Sequence, residues 1–343
     1  MIFVPAPLLS GCGDEMVPPV QVAAPESAFP IAKAPRQSPP ANVVGGFSVV
    51  LPDLVLQPGE EVTPCYIAPL EIVGPSRMVG GGVVTVGPGM HHGNVTARLK
   101  TGEGLRPCPE GEGGLVQGEA ADILDGGAVL LGSSTQVEGT EWQSLPDGMA
   151  YPVREGSEIV ARMHYLNTSA EPITIAPRYE WFTVDTAKVT HVLGPFVWVF
   201  NDFEIPPRSE HTVIGGCRIP EPMRLVNLLP HMHKLGTAFT AEFMGGPLDG
   251  RRFLDSQGYD PDNGVIVQYD PAVDLSQGEG VRFSCTWQNT FDKTIVEGYG
   301  DNEMCMLFGY SYPAESAYSA ISSGENACAA IAAPAPSPPT PSP

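Results

Sequence analysis

The sequence predicts an all-β protein built as sandwiches, on three observations: a surplus of turn residues, a series of short β-prone runs, and no helical pattern of comparable length. The turn residues are 39 Gly and 37 Pro in 343 positions, which favours many turns between short strands over long helices. The β-prone runs are Phe47 to Val55, Gly82 to Val86, Glu158 to Tyr165, Phe196 to Phe200, Thr237 to Phe243 and Val281 to Trp287, separated by Gly, Pro, Asn and Asp. Repeated strands punctuated in this way predict sandwiches. The helical pattern is weak and confined to residues 118–125 and 314–324.

A chain of 343 residues accommodates two domains that each bury a core. Residues 13–42 are rich in Pro, Ala, Ser and Val without periodicity and read as a flexible linker; residues 329–343 read as a Pro-rich disordered tail. The run from Leu193 to Arg208 marks the boundary between a domain at 43–195 and a second at 196–328, and no internal repeat competes with that placement.

The formal charge of -21, from 39 acidic and 18 basic side chains, repels phosphate backbones and argues against nucleic acid as a partner. No apolar run approaches the roughly 18 residues of a membrane-spanning helix. Residues 1–12 are apolar and end in Leu9-Ser10-Gly11-Cys12, which resembles the cleavage box of a bacterial lipoprotein signal, although the stretch is short and lacks a preceding Lys or Arg. The expectation is an exported chain, in the bacterial periplasm or at the cell surface, with a lipid anchor at Cys12. Beyond Cys12 there remain Cys65, Cys108, Cys217, Cys285, Cys305 and Cys328, an even number able to form three bridges in an oxidising compartment, and none is arranged as CxxC.

Five of the seven histidines fall in three short clusters: His91-His92, His164, and His231-Met232-His233. Alternate residues of a strand share a face, so His231 and His233 offer two imidazoles to one transition metal. His91 and His92 are adjacent and would point to opposite faces of a regular strand; they share a metal only where the backbone bends, and Gly87-Pro88-Gly89 before them and Gly93 after them supply the bend. His164, in Val-Ala-Arg-Met-His-Tyr, brings a third imidazole, though standing alone it reads more readily as a structural histidine. In Asn302-Glu303-Met304-Cys305-Met306-Leu307-Phe308, strand alternation puts Met304, Met306 and Phe308 on one face and Cys305 on the other. A methionine there fills a core by default, yet a thioether joined to two imidazoles is a soft donor set suited to copper.

Taken together and in order, His91-His92, His164-Tyr165, Pro230-His231-Met232-His233-Lys234-Leu235-Gly236 and Glu303-Met304-Cys305 resemble the copper type II, ascorbate-dependent monooxygenases, the group of dopamine β-monooxygenase and the peptidylglycine α-hydroxylating enzymes. The resemblance spans residues 60–310. It implies two antiparallel jelly-roll-like β-sandwiches facing across a cleft, and two copper ions per chain. His91, His92 and His164 would hold an electron-transfer copper; His231, His233 and Met304 would hold the catalytic one. It also implies disulfides Cys65–Cys108, Cys285–Cys305 and Cys217–Cys328, with dioxygen as oxidant, ascorbate as reductant and a small-molecule substrate whose C–H bond is hydroxylated.

The chain departs from the peptide-hydroxylating members where they clamp a substrate carboxylate with Arg, Asn and Tyr: the matching positions are Leu229, Met306 and Phe308. These form an apolar wall, which points to an apolar or aromatic substrate. The main competing reading is an exported copper-binding or electron-transfer protein without hydroxylase activity. A cupin would place a Glu about four residues beyond the second His of the His-x-His pair, where this chain has Gly236-Thr237-Ala238, and an adhesion sandwich leaves the six ordered ligands unexplained. His191 and His211 match no ligand position and read as structural or surface residues.

Overall fold

The computed structural model describes residues 31–99, 102, 104–109, 122, 127–133, 139–260, 266–298, 301–324 and 327–330. The described residues are built of strands joined by turns and short 3₁₀ segments such as Thr186–Lys188, whose first turn is capped by Asp185. The all-β expectation holds. No helix among them is long and apolar enough to cross a membrane.

The first sandwich has two six-stranded sheets. One carries Met78–Val86, Gly139–Ser144, Met149–Pro152, Arg178–Val184, Val43–Val50 and His191–Val192; the other carries Glu158–Leu166 between Cys65–Pro69 and Met90–Arg98. The Pro88-Gly89 turn takes the chain from one sheet to the other, and Gly89 adopts φ 93°, a conformation that L side chains resist. Alternating apolar residues of both sheets, among them Val84, Val95, Ile159, Tyr179 and Trp181, close the core. The run expected over Phe47 to Val55 is broken, because Pro52 and Asp53 separate Val43–Val50 from Leu54–Leu56.

The second sandwich packs a seven-stranded sheet on a four-stranded one made of Glu210–Arg218, Gly280–Gln288, Gly236–Met244 and Arg252–Gln257. In the seven-stranded sheet, Met306–Tyr312 lies between Arg224–His231 and Gly194–Phe200. The chain passes between sandwiches at Leu193, since His191–Val192 pairs with Met149–Pro152 of the first and Gly194 pairs with Ser311 of the second.

Three expectations need correction. Ile31–Lys33, read as linker, forms a strand antiparallel to Val267–Asp274 and so belongs to the second sandwich's sheet. Residues 314–324, read as a weak helix, form the 3₁₀ turn Ala314–Ser316 and the strand Ala320–Gly324, which pairs in parallel with Trp198 to Phe200; pairing with a distant strand overrides the local pattern. The strand Ala327–Ala330 pairs with Ala320–Gly324, so residues 329 and 330 lie in a sheet and not in a tail. The region 118–125 lies outside the described residues apart from Asp122, as do the lipoprotein signal at 1–12 and residues 331–343.

Both faces of the seven-stranded sheet are covered around its centre. Leu225, Leu228 and Leu307 point into the second core, whereas Val226 and Tyr310, on the other face, are buried in the core of the first sandwich. Tyr310 stacks on Tyr151 with ring centroids 4.7 Å apart, and its hydroxyl donates to the Val129 carbonyl at 2.9 Å.

Cys65–Cys108 and Cys285–Cys305 are disulfides, as the resemblance implies. Cys217 is also disulfide-bonded; the side chain of Cys328, its expected partner, lies outside the described residues. These bridges are those of a chain folded in an oxidising, exported location. The Cys285–Cys305 bridge spans 20 residues, and closing a loop of that length in the unfolded chain stabilises a fold by about 3 kcal/mol. Replacing both cysteines by Ala is expected to lower the unfolding free energy by about that amount, measured as a reduced denaturant midpoint; an unchanged midpoint would contradict this account.

Candidate functional site

The Arg224–His231 strand ends at His231, opposite Met306 of the neighbouring strand. His233 therefore lies beyond the strand, at the start of a turn closed by Gly236 N–H donating to His233 O at 3.0 Å. Strict strand alternation does not place this pair. The backbone of the turn does, and it leaves the two rings nearly perpendicular at 87° with centroids 5.3 Å apart. Tyr259 braces the link between them, its hydroxyl accepting from Met232 N–H at 3.0 Å.

Four contacts tie this turn to the segment that carries Met304. The His233 ring nitrogen Nδ1 lies 2.8 Å from the Asn302 carbonyl, which can only accept, so Nδ1 carries the proton and Nε2 keeps its lone pair. The fully buried Glu303 carboxylate accepts the backbone N–H of His233 at 2.8 Å and of Leu235 at 2.7 Å. Lys234 reaches Asp301 at 2.6 Å on the exposed side. Burial raises the Glu303 carboxyl to about 7, against the pull of the backbone N–H groups it accepts from. Burial also holds His233 below the usual histidine range, favouring the neutral imidazole that a metal requires.

Met304 is buried in a small cluster with Val197, Met306 and Phe308, against which Val129, Val199 and Leu229 pack. The alternation read from the sequence is visible here: Met304, Met306 and Phe308 share this face, while Cys305 lies in the second core. The strand itself begins only at Met306. Phe308 approaches the His231 ring edge-on at 6.4 Å. Two imidazoles, one oriented by a backbone carbonyl, next to a segment bearing a buried thioether fit a soft ion such as copper.

In the first sandwich, Glu158–Leu166 pairs with Met90–Arg98 so that His164 faces His92 and Tyr165 faces Met90. His91 is thus the extra residue of a β-bulge, and a bulge breaks the alternation that separates consecutive residues. The side chains of His91 and His92 lie outside the described residues. Gly93, next to the bulge, has ordinary φ but leaves room for a neighbour: a Cβ there would lie 2.7 Å from Met163 Sδ. His164 Nε2 lies 2.6 Å from Glu61 Oε1. Among the described residues no three His, Cys, Asp or Glu side chains gather into a metal-holding group; a set of two imidazoles and a thioether contains only two such residues. His191 tilts over Tyr312 at 4.3 Å, as a structural residue would.

Glu303, the Asn302 carbonyl, Tyr259 and Glu61 escape sequence reasoning. Glu303 stands in the Glu303-Met304-Cys305 motif, yet nothing local distinguishes a buried carboxylate from a solvated one. Glu303→Gln is expected to turn an NH2 toward one of the two N–H groups, lowering stability by about 1 to 3 kcal/mol and copper affinity at this site by roughly 10- to 100-fold. Calorimetric copper titration and denaturant unfolding measure the two effects; wild-type values in both would remove Glu303 from the scheme.

Residues 191–330 match the family described as copper type II ascorbate-dependent monooxygenase, C-terminal domain. No curated protein matches the chain. Among solved structures, a mutant VP2 protein of infectious bursal disease virus in derived T=1 particles aligns at 10% identity, covering 82% of this chain and 73% of that one, with a TM-score of 0.20. A VP2 subviral particle of the same virus aligns at 11% identity over 81% and 74%, also with a TM-score of 0.20, and likeness at that level carries no argument. The matched residues contain His231, His233 and Met304, and the match, which covers the second sandwich, supports membership of the copper type II, ascorbate-dependent monooxygenase family.

Proposed function

We propose that this protein hydroxylates a C–H bond of an apolar or aromatic small molecule with dioxygen, using two copper ions per chain and a reductant such as ascorbate. The observation that carries this reading is the tie between the His231-Met232-His233 turn and the Met304 segment, with His233 Nδ1 on the Asn302 carbonyl. His231, His233 and Met304 would hold one ion, and His91, His92 and His164 the other. Bound copper would supply the one-electron chemistry with dioxygen that hydroxylation of an activated C–H bond requires.

The protein's own residues bind, orient and exclude water. Asn302 fixes the tautomer of His233, and Glu303 holds the turn that carries it. Leu229, Met306 and Phe308 present apolar surface on the same side of the sheet as His231, where a carboxylate clamp would need a cation. Glu61 orients the His164 ring through its Nε2. The disulfides agree with an exported protein; attachment through Cys12 in the periplasm or at the cell surface is part of the proposal.

Metal analysis and oxygen consumption test it. The purified chain is expected to bind two copper ions and to consume oxygen with ascorbate in the presence of an apolar substrate. Met304→Ala should cut turnover by at least roughly 100-fold while the first-sandwich copper stays bound. His164→Ala should weaken that other copper and impair coupled turnover without unfolding the chain. Copper binding with no substrate-dependent oxygen uptake would favour an electron-transfer protein, and full ascorbate-driven turnover in His164→Ala would overturn its assignment.

A further inference from the structure

A pocket of about 640 Å³, counting the solvent at its mouth, opens between the two sandwiches. Val129, Leu131 and Gly132 line it from the first, and Leu229 and Phe308 from the second. None of the described residues that line it is charged, in a protein whose formal charge is -21. Phe308 has a place in both settings: it lines the pocket and meets the His231 ring edge-on at 6.4 Å.

The polar side chains that line the pocket are the amides Gln143, Asn227 and Gln268 and the hydroxyls of Ser144, Tyr151 and Tyr310, each hydroxyl already donating to a backbone carbonyl, and two of the amides lie side by side. Asn227 and Gln268 are register partners on adjacent strands. Asn227 Oδ1 accepts the Tyr310 N–H at 2.8 Å, which leaves the Asn227 NH2 to donate. Gln268 adds both a donor and an acceptor. Asn227 and His231 stand four residues apart on one strand, so the amide pair lies about 13 Å from the imidazole along the strand direction.

We propose that this pocket selects an uncharged, elongated substrate with an apolar body and one hydrogen-bonding end such as an amide or carbonyl. The polar end rests on Asn227 and Gln268, and the carbon to be oxidised lies at the Phe308 end, beside His231. The identification of the occupant as substrate rests on the monooxygenase reading. A charged end group would lose its hydration here with no countercharge to replace it. Gly132 sets the width: a Cβ at that position would lie 3.1 Å from Leu229 Cδ2, and any longer side chain would enter the space between the walls.

Binding of an ω-phenylheptanamide to the full chain, with the carboxylate and amine of equal length as comparisons, tests this by calorimetry on metal-free and copper-loaded protein. The amide is expected to bind at least about tenfold tighter than either charged analogue. Gln268→Leu, on a half-exposed surface, and Gly132→Leu, inside the pocket, should each weaken the amide by about tenfold with copper content unchanged. Equal or tighter binding of either charged analogue, or wild-type amide affinity in both variants, overturns the proposal. Selective amide binding without ascorbate-driven oxygen uptake would sustain the pocket and sink the monooxygenase reading. Oxygen uptake with binding indifferent to charge would do the reverse.

Discussion

Burial of one sheet on both of its faces is the constraint on which the rest depends. Antiparallel sheets commonly leave one face to water. The Arg224–His231 and Met306–Tyr312 strands instead send Leu228 and Leu307 into one core and Val226 and Tyr310 into another. Successive residues of these strands therefore face different sandwiches, and the face turned toward the first is also the one that carries Phe308, Met306 and His231. Toward the Tyr312 end this face is sealed by the Tyr151–Tyr310 stack. Toward the Met304 end it becomes the candidate metal site.

A second constraint acts at that end. A histidine placed outside regular structure needs something other than a strand ladder to fix its direction. The Glu303 carboxylate and the Asn302 carbonyl do this for His233, both from the segment that delivers Met304. The Cys285–Cys305 bridge secures that segment to the four-stranded sheet beneath it. Backbone contacts thus link the donors before any metal is considered, and an ion bound there would find them preorganised.

Legibility in the sequence followed the range of the interaction concerned. Gly280–Gln288 alternates apolar and polar residues and Glu158–Leu166 does so from Ala161 to Tyr165, and their strands appear where the local pattern puts them. The face shared by Met304, Met306 and Phe308 was readable because period-two alternation is a local property. Ile31–Lys33 and Ala320–Gly324 were not, because each gains its ladder from a partner far along the chain while its own composition resembles a linker or a weak helix. The bulge at His91 was half legible: the glycines announced a bend, but only the register against His164 shows which residue is extra. Glu61 and Glu303 gave no signal, since a carboxylate's partner is a matter of tertiary packing.

The strand Ile31–Lys33 crosses the order of the chain, lying in the second sandwich although it precedes the first. A fragment cut at Leu193 to isolate the second sandwich would leave Val267–Asp274 as a bare edge, with open N–H and C=O groups inviting self-association. The two halves are therefore laced together by topology as well as by contact, and neither is a separable module.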